Sequence, residues 1–313
     1  LRCLGGSEMC IRDRYKGKPR SRIAYLCASK RMDWEPVAWT EFDGKNIVFT
    51  DIQKGPVMRV ATYERGRLRF WTDPFEINVS NEFHFFTPSD SVQDVTLFAK
   101  YTLRADEMFL NRMIGGTFEG SNDPDFREKE VLYLINEKPK RLQTVVQSYS
   151  SKSYRYVRYI GPKDSHCNIA EAAFYTPNDT ASLKGKVIGT PGCFQKDGSH
   201  EYTNVFDGDV TTSFDYIEPS GGWSGLDLGT PKQIGRIVYT PRSYDNYIRS
   251  GDDYELFYCA RRNNWKSLGD QRSKADSLIY IKIPVNALLL LCNNTRGIQE
   301  RIFVYTAAEQ IWK

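Results

Sequence analysis

From Val37 onward the chain is a succession of short runs in which aromatic and β-branched residues alternate with polar ones. Over residues 37–87 they read VAWTEF, NIVFTDI, VMRVATY, LRFWT, FEINV and FHFFT, punctuated by DGK, KGP, ERG, DP and SN. A period of two, bounded by turn residues, is the mark of half-buried strands. Tyr63-Glu64-Arg65-Gly66 reads as a hairpin turn, with Gly66 supplying the positive φ. The texture continues through VLYLI, TVVQSY, YRYVRYI and AEAAFY, then through KVIGT, WSGLDLG, IGRIVYT, DYELFYC, LIYIKI, ALLLLCN and RIFVYT. Only Arg104–Met113 (RADEMFLNRM) has helical spacing, and it is short. The fold class that follows is all-β, built as consecutive β-sandwich units.

Single cores stop growing at roughly 250–300 residues, so 313 residues predict two or three domains. The expected units are a small β-sandwich at 31–103, a partial β unit at 104–178 and a last domain at 183–313. The polar run TPNDTAS, Thr176 to Ser182, is the expected linker between the last two. A faint repeat relates them, each pairing a strand and polar turn with two later strands around a cysteine-bearing loop. Phe42-Asp43-Gly44 is read as a hairpin turn only. Residues 1–14, LRCLGGSEMCIRDR, have no period and resemble translated sequencing adapter, so they are set apart as non-native. The chain does not begin with Met and is read as a fragment.

Several function classes drop out. A formal charge of +4 on 43 basic and 39 acidic residues gives no concentrated basic face, so nucleic acid is not an expected partner. The longest apolar run, Ala287 to Cys292, falls far short of the roughly 20 residues of a membrane span. The seven cysteines include no CxxC, which argues against a zinc knuckle. One bridge among Cys167, Cys193, Cys259 and Cys292 and a set of buried free thiols both remain open. No GxSxG, HExxH or P-loop is present. His166 and Cys167 are neighbours whose side chains diverge in a strand, a poor nucleophile–base pair. Catalysis within this chain is not expected.

The densest stretch is Asn204 to Gly229, NVFDGDVTTSFDYIEPSGGWSGLDLG. Asp207 and Asp209 flank Gly208, with Thr211, Thr212 and Ser213 beyond. Hard cations take six to eight oxygens from carboxylates, hydroxyls and carbonyls, which such a turn can gather. A plain Asp-Gly turn is the alternative.

Asn204, Phe206-Asp207-Gly208-Asp209, Thr212, Trp223, Asp227-Leu228-Gly229 and Pro241-Arg242 together resemble the discoidin family, the coagulation factor V/VIII type C domain. YELFY, NNW, RYVRY and NIAEAAFY fit the same pattern, so the resemblance spans residues 104–313. It implies a galactose-binding-like jelly-roll sandwich, here at 183–313. The set with ERIF.Y is particularly similar to discoidin-type regions of Bacteroidetes surface and glycan-utilisation proteins. Some of those carry an upstream transglutaminase-like or peptidase-like domain.

The resemblance implies a structural calcium ion at Asn204, Asp207, Asp209, Thr212 and Ser213. The family closes that site with a Glu in an A-E-x-x-F-Y pattern. Glu171 fits the pattern but falls in the middle unit. In the last unit the place reads Glu300-Arg301-Ile302, and a guanidinium cannot ligate calcium. Sugar binding in such sandwiches uses loop aromatics with Arg, Asn and Asp beside them. Trp223, Arg242, Tyr244, Asn246, Tyr247 and Tyr216 are the candidates, with Phe214 near them, and the SYDNY loop is expected to be exposed. The expected function is non-catalytic carbohydrate binding or surface adhesion, within a larger secreted protein at an extracellular, periplasmic or outer-membrane surface. The partners are then a glycan or cell-surface polysaccharide and a covalently linked upstream domain. The alternatives are a structural spacer for that upstream domain and an enzyme with an interdomain site.

Overall fold

The computed structural model describes residues 2–4, 8–11, 21–41, 47–50, 52–102, 104–260, 265–296 and 299–313. Among them the chain is built of antiparallel strands with one short α-helix and one 3-10 turn, as the alternation predicts. It forms two compact units, one of residues 1–101 with 248–313 and the other of residues 102–247.

In the first unit the strands Asp33–Glu41, Ile23–Lys30, Met58–Glu64, Phe75–Ile77 and Phe83–Phe85 lie side by side. Arg67–Phe70 folds back on Met58–Glu64 with Glu64 opposite Arg67. Arg65 and Gly66 take φ of 51° and 75°, the hairpin turn the sequence predicts. A second sheet joins Trp265–Arg272, Asp253–Cys259, Leu289–Asn293, Ile302–Thr306 and Glu309–Trp312. Arg59 is fully buried. Its guanidinium stacks on Phe70 at 4.3 Å and Trp34 at 5.2 Å, and its Nε donates to the Thr72 carbonyl at 3.0 Å.

The expected 31–103 sandwich does not close on itself. Val92–Leu97 pairs with Leu278–Pro284, and Val57 and Phe86 share a core with Cys259, Leu288 and Leu290. Within the segment set apart as non-native, Arg2–Leu4 and Glu8–Ile11 form short strands, the second paired with Ile47–Phe49. Strands of three and four residues are too short to show an alternating period. The turn expected at Phe42-Asp43-Gly44 lies outside the described residues.

The second unit opens with α1 (Arg104–Asn111), at the expected helix. Eight strands follow: β1 (Thr117–Ser121), β2 (Lys129–Leu134), β3 (Thr144–Gln147), β4 (Ser153–Ile160), β5 (Ile169–Tyr175), β6 (Lys186–Gly189), β7 (Trp223–Gln233) and β8 (Arg236–Pro241). They make a five-stranded sheet, β2-β1-β4-β7-β6, and a three-stranded sheet, β3-β8-β5. Phe118, Val157, Tyr159, Phe174, Leu226, Ile237 and Tyr239 fill the space between. The Phe118 ring alone meets Tyr159 at 5.1 Å, Tyr239 at 5.4 Å and Phe174 at 6.0 Å. This is a β-sandwich with one apolar interior.

The units are therefore cut differently from the expected domains. β4 pairs with β7 along its length, and β5 pairs with β8, across the expected boundary at 178–183. The TPNDTAS run is a turn inside the sandwich: Thr176 Oγ1 donates to Asp179 Oδ2 at 2.6 Å, and the Leu183 N–H donates to the Phe174 carbonyl at 2.7 Å. Segments read as a partial unit and half of a last domain complete each other. Cys27, Cys167, Cys193, Cys259 and Cys292 are free and buried, which settles the cysteine alternatives among the described residues.

Candidate functional site

The Asp207 loop follows the 3-10 turn Tyr202–Phe206. Gly208, with φ of 85°, lets the chain fold tightly between the two aspartates. Asp207 accepts the Asp209 N–H at 2.7 Å and the Thr212 hydroxyl at 2.8 Å. Asp209 accepts the Thr211 hydroxyl at 2.6 Å and its N–H at 2.9 Å. The acid that the sequence places in the middle unit, Glu171, comes to this loop. It reaches over from β5, and its Oε1 accepts the Gly208 N–H at 2.9 Å. Burial, and then hydrogen bonding to the Asp207 carboxyl, push the Glu171 carboxyl up to about 8. Two carboxyl groups in contact favour either a shared proton or a cation between them.

Of the five proposed calcium ligands, Asp207 meets Glu171, Thr212 bonds to Asp207, and the Asp209 carboxylate turns to Thr211. Asn204 and Ser213 brace the loop. Asn204 Nδ2 donates to the carbonyls of Ser199 at 2.9 Å and Ser213 at 3.3 Å. The Ser213 side chain is buried, with its hydroxyl 3.2 Å from His200 Nδ1. Among the described residues no three His, Cys, Asp or Glu side chains converge as a metal cluster. A hard cation here would draw on the two carboxylates, a threonine hydroxyl and backbone carbonyls, which is oxygen chemistry of the kind calcium accepts. Glu300 and Arg301 belong to the other unit, where the buried Glu300 carboxylate lies 2.8 Å from Arg31 Nε.

A second feature is the loop end around residues 161–168, 190–200 and 214–222. Asp164, His166 and Cys167 take φ of 60°, 56° and 54°, and Lys196 takes 58°. Each non-glycine residue held there costs about 1–3 kcal/mol and persists only where its surroundings over-determine it. They do so here. The His166 N–H donates to the Pro219 carbonyl at 3.0 Å, the Tyr216 N–H to the His166 carbonyl at 2.7 Å and the Phe194 N–H to the Asp215 carbonyl at 2.8 Å. His166 Nδ1 lies 2.9 Å from the Tyr216 carbonyl oxygen. A carbonyl only accepts, so Nδ1 carries a proton, and in the neutral ring Nε2 is the acceptor. Gly222 is required, because a Cβ there would lie 2.7 Å from Tyr216 Cβ and 2.9 Å from Cys167 Cβ. Above these loops stands Phe194, 56% exposed, edge-on to the His166 ring at 5.0 Å.

The six sugar-binding candidates do not converge. Trp223 is half-buried on the outer face of the five-stranded sheet, 5.7 Å from Phe126 and 5.2 Å from the Arg158 guanidinium. Beneath it Arg158 holds the buried Glu119 at 2.7 Å. Tyr216 is half-buried behind His166, and Phe214 is core. Tyr244 is 46% exposed and leans on Phe109 at 5.7 Å. Asn246 and Tyr247 are buried, Tyr247 against Leu110 and Leu142, so the expected exposure of SYDNY holds for Tyr244 and not for them. Desolvation also drives the Tyr247 hydroxyl far above its ordinary value.

Arg242 is locked. Its NH1 donates to Asp215 Oδ2 at 2.6 Å, while Asn168 Nδ2 donates to Asp215 Oδ1 at 2.5 Å. Arg112 NH1 donates to Asn168 Oδ1 at 2.9 Å, and Arg242 stacks on Phe109 at 4.4 Å. This chain of charge-assisted bonds ties the end of α1 to the loops before β5 and after β8. It also fixes Asp215, whose carbonyl holds Phe194. Burial raises the Cys167 thiol far above its usual range, so the thiolate a nucleophile needs is disfavoured.

No protein-family model, curated protein or solved structure matches the chain.

Proposed function

We propose that residues 102–247 are a discoidin-like, non-catalytic carbohydrate-binding module of a larger exported surface protein. The observation that carries the binding reading is Phe194. A large aromatic ring stands in water on three loops that are hydrogen-bonded into a strained conformation. An apolar face of that kind stacks on the C–H face of a pyranose, and the neutral His166 Nε2 beside it accepts a hydrogen bond from a sugar hydroxyl. The meeting of Glu171 with the Asp207 loop supports the resemblance, which calls for that acid at that place. It also supports a structural calcium ion bracing the loop. In that role Asp207, Asp209, Thr212 and Glu171 supply oxygens, and the bound ion supplies fixed charge rather than chemistry.

Affinity electrophoresis against a panel of bacterial, plant and host polysaccharides tests the reading. Retardation by one of them is expected. Phe194→Ala, at an exposed site, is expected to weaken it at least tenfold with an unchanged melting temperature, since stacking with an aromatic is worth about 1–3 kcal/mol. No retardation on any polysaccharide, with the fold intact, removes the proposal. The placement of Arg242, Asn246 and Tyr247 in buried contacts then favours the architectural spacer.

A further inference from the structure

The sandwich of the second unit has an open side where β5 and β6 are edge strands of their two sheets. After β5 the chain turns back, and the Leu183 N–H donates to the Phe174 carbonyl at 2.7 Å. It then crosses to the other sheet as β6, so β5 has no strand partner on this side. Toward the start of β5 the Phe214 N–H donates to the Ile169 carbonyl at 2.8 Å. Between these two bonds lies Ala172, which borders a cavity of about 250 Å³ walled by Leu183, Val187, Phe206 and Leu226. Nothing in the binding reading above uses it.

Successive residues of a strand turn their main-chain groups to alternate sides. Phe174 turns its carbonyl away from β8, and no register shift separates it from Ala172, so Ala172 turns both its N–H and its C=O the same way. Ala172 is only 3% exposed. Buried main-chain donors and acceptors are almost always paired, yet no group among the described residues bonds to this pair. The ionisable neighbours are engaged elsewhere: Glu171 Oε1 accepts the Gly208 N–H, and the exposed Lys184 keeps its charge in water. The cavity therefore offers a neutral donor beside a neutral acceptor, set in an apolar wall, with the half-buried Ser182 at its border.

We propose that this cavity is a saccharide subsite that takes a pyranose by two neighbouring hydroxyls. One hydroxyl accepts from the Ala172 N–H, and the next donates to the Ala172 C=O; a hydroxyl serves in either role. The C–H face of the ring lies against Leu183, Val187, Phe206 and Leu226, and the remaining hydroxyls face Ser182 and water. An ion finds no counter-charge in a neutral pair. An extended peptide fails for another reason. A trans peptide unit turns its N–H and C=O to opposite sides, so a peptide has to run along β5 to meet both groups. Leu183 and Phe214 stand in that path. A ligand with a single hydroxyl, or with two far apart, leaves half of the pair unsatisfied. The subsite shares no lining residue with the Phe194 loops and does not depend on them.

The probes are methyl β-D-xylopyranoside, trans-1,2-cyclohexanediol and trans-1,4-cyclohexanediol, each titrated into the full chain and followed by amide chemical shifts. The two diols are isomers that differ only in whether the hydroxyls are adjacent. A dissociation constant on the order of 10 mM is expected for the xyloside and the 1,2-diol, with the largest shift at the Ala172 amide. The 1,4-diol is expected to bind about fivefold more weakly, the worth of one hydrogen bond. Val187→Phe, on the cavity wall, should weaken every probe, and Phe194→Ala should change none. Equal affinity for the two diols overturns the proposal, and that comparison needs no variant to fold. So does a Val187→Phe variant that binds as the wild type does, or an Ala172 amide unmoved by the xyloside at roughly ten times the expected constant; water alone then pairs with Ala172. The two binding readings remain separable. Xyloside binding at Ala172 without retardation by any polysaccharide sinks only the Phe194 reading, and retardation without an Ala172 shift sinks only this subsite.

Discussion

Saturating calcium is expected to raise the melting temperature of the protein, and to raise it more at pH 8 than at pH 5. A ligand present at 100 times its dissociation constant stabilises the folded state by about 2.7 kcal/mol, which for a unit of this size is a shift of about 5–10 °C. The pH dependence comes from Glu171. In the unfolded chain its carboxyl titrates near the ordinary 4.5, whereas the folded carboxyl is pushed up to about 8. Between those values the folded state holds a proton that the unfolded state has released. Stability in EDTA is therefore fully present below 4.5 and falls as pH rises through 8. Calcium needs the ionised carboxyls, so its affinity rises over the same interval and levels off above it. Glu171→Gln carries no charge at any pH. In EDTA it should flatten the decline and melt higher than the wild type above pH 8, while losing the response to calcium. Differential scanning fluorimetry across that range, with and without the ion, reads all of these. A wild type indifferent to calcium at every pH, or a Glu171→Gln variant that responds as the wild type does, removes the site.

Glu171 also shows what the sequence can and cannot display. Its A-E-x-x-F-Y setting was legible, and so were the loop FDGD and the threonines beyond it. That the two meet was not legible, because the pairing of β5 with β8 and of β4 with β7 is long-range, and the turn between β5 and β6 resembles a linker. Thr176, Asn178 and Asp179 have the same turn chemistry in either role. The individual strands were readable for a physical reason: alternation is local, so DYELFYC and IGRIVYT declare themselves wherever their partners lie. Partner choice is not local. The strands after Ile248 therefore read as the second half of the last domain, although their neighbours include Val92–Leu97. The exposed aromatic was missed for a related reason. Phe194 stands alone in TPGCFQKDGSH, without the neighbouring aromatics that drew attention to SYDNY. A lone phenylalanine among Gly, Pro, Gln, Lys and Asp has no apolar periodicity to join, which is itself a signal of exposure. In SYDNY the alternating polar residues suggested a surface. Tyr247, however, immediately precedes the buried Ile248 and closes the packing over Leu110 and Leu142.

Replacing Asp215 is expected to cost more than removing any single exposed group of the candidate site. Its carboxylate is about nine-tenths buried, between the similarly buried Arg242 and the Asn168 amide. Asp215→Ala leaves the guanidinium dehydrated against Phe109 with no counter-charge from this carboxylate, and it leaves the Asn168 amide without its acceptor. Breaking one partner out of a buried ion pair costs about 3–5 kcal/mol, which is a fall of about 10 °C in melting temperature for a unit of this size. Asp215→Asn keeps the volume and an acceptor oxygen, so a smaller loss is expected. The loss should extend to ligand binding, because the Asp215 carbonyl carries the N–H of Phe194 and the loops share one hydrogen-bonded framework. The decisive comparison is Asp215→Ala combined with Arg242→Met. If the cost of the single variant is the stranded guanidinium, removing that charge as well restores much of the stability. The double variant should then be more stable than the sum of the two single losses by at least about 1 kcal/mol. Urea denaturation of the four proteins measures this. Strict additivity would mean that Asp215 acts through its backbone position and packing alone, and that the Arg112–Asn168–Asp215–Arg242 chain is not what holds Phe194 in place.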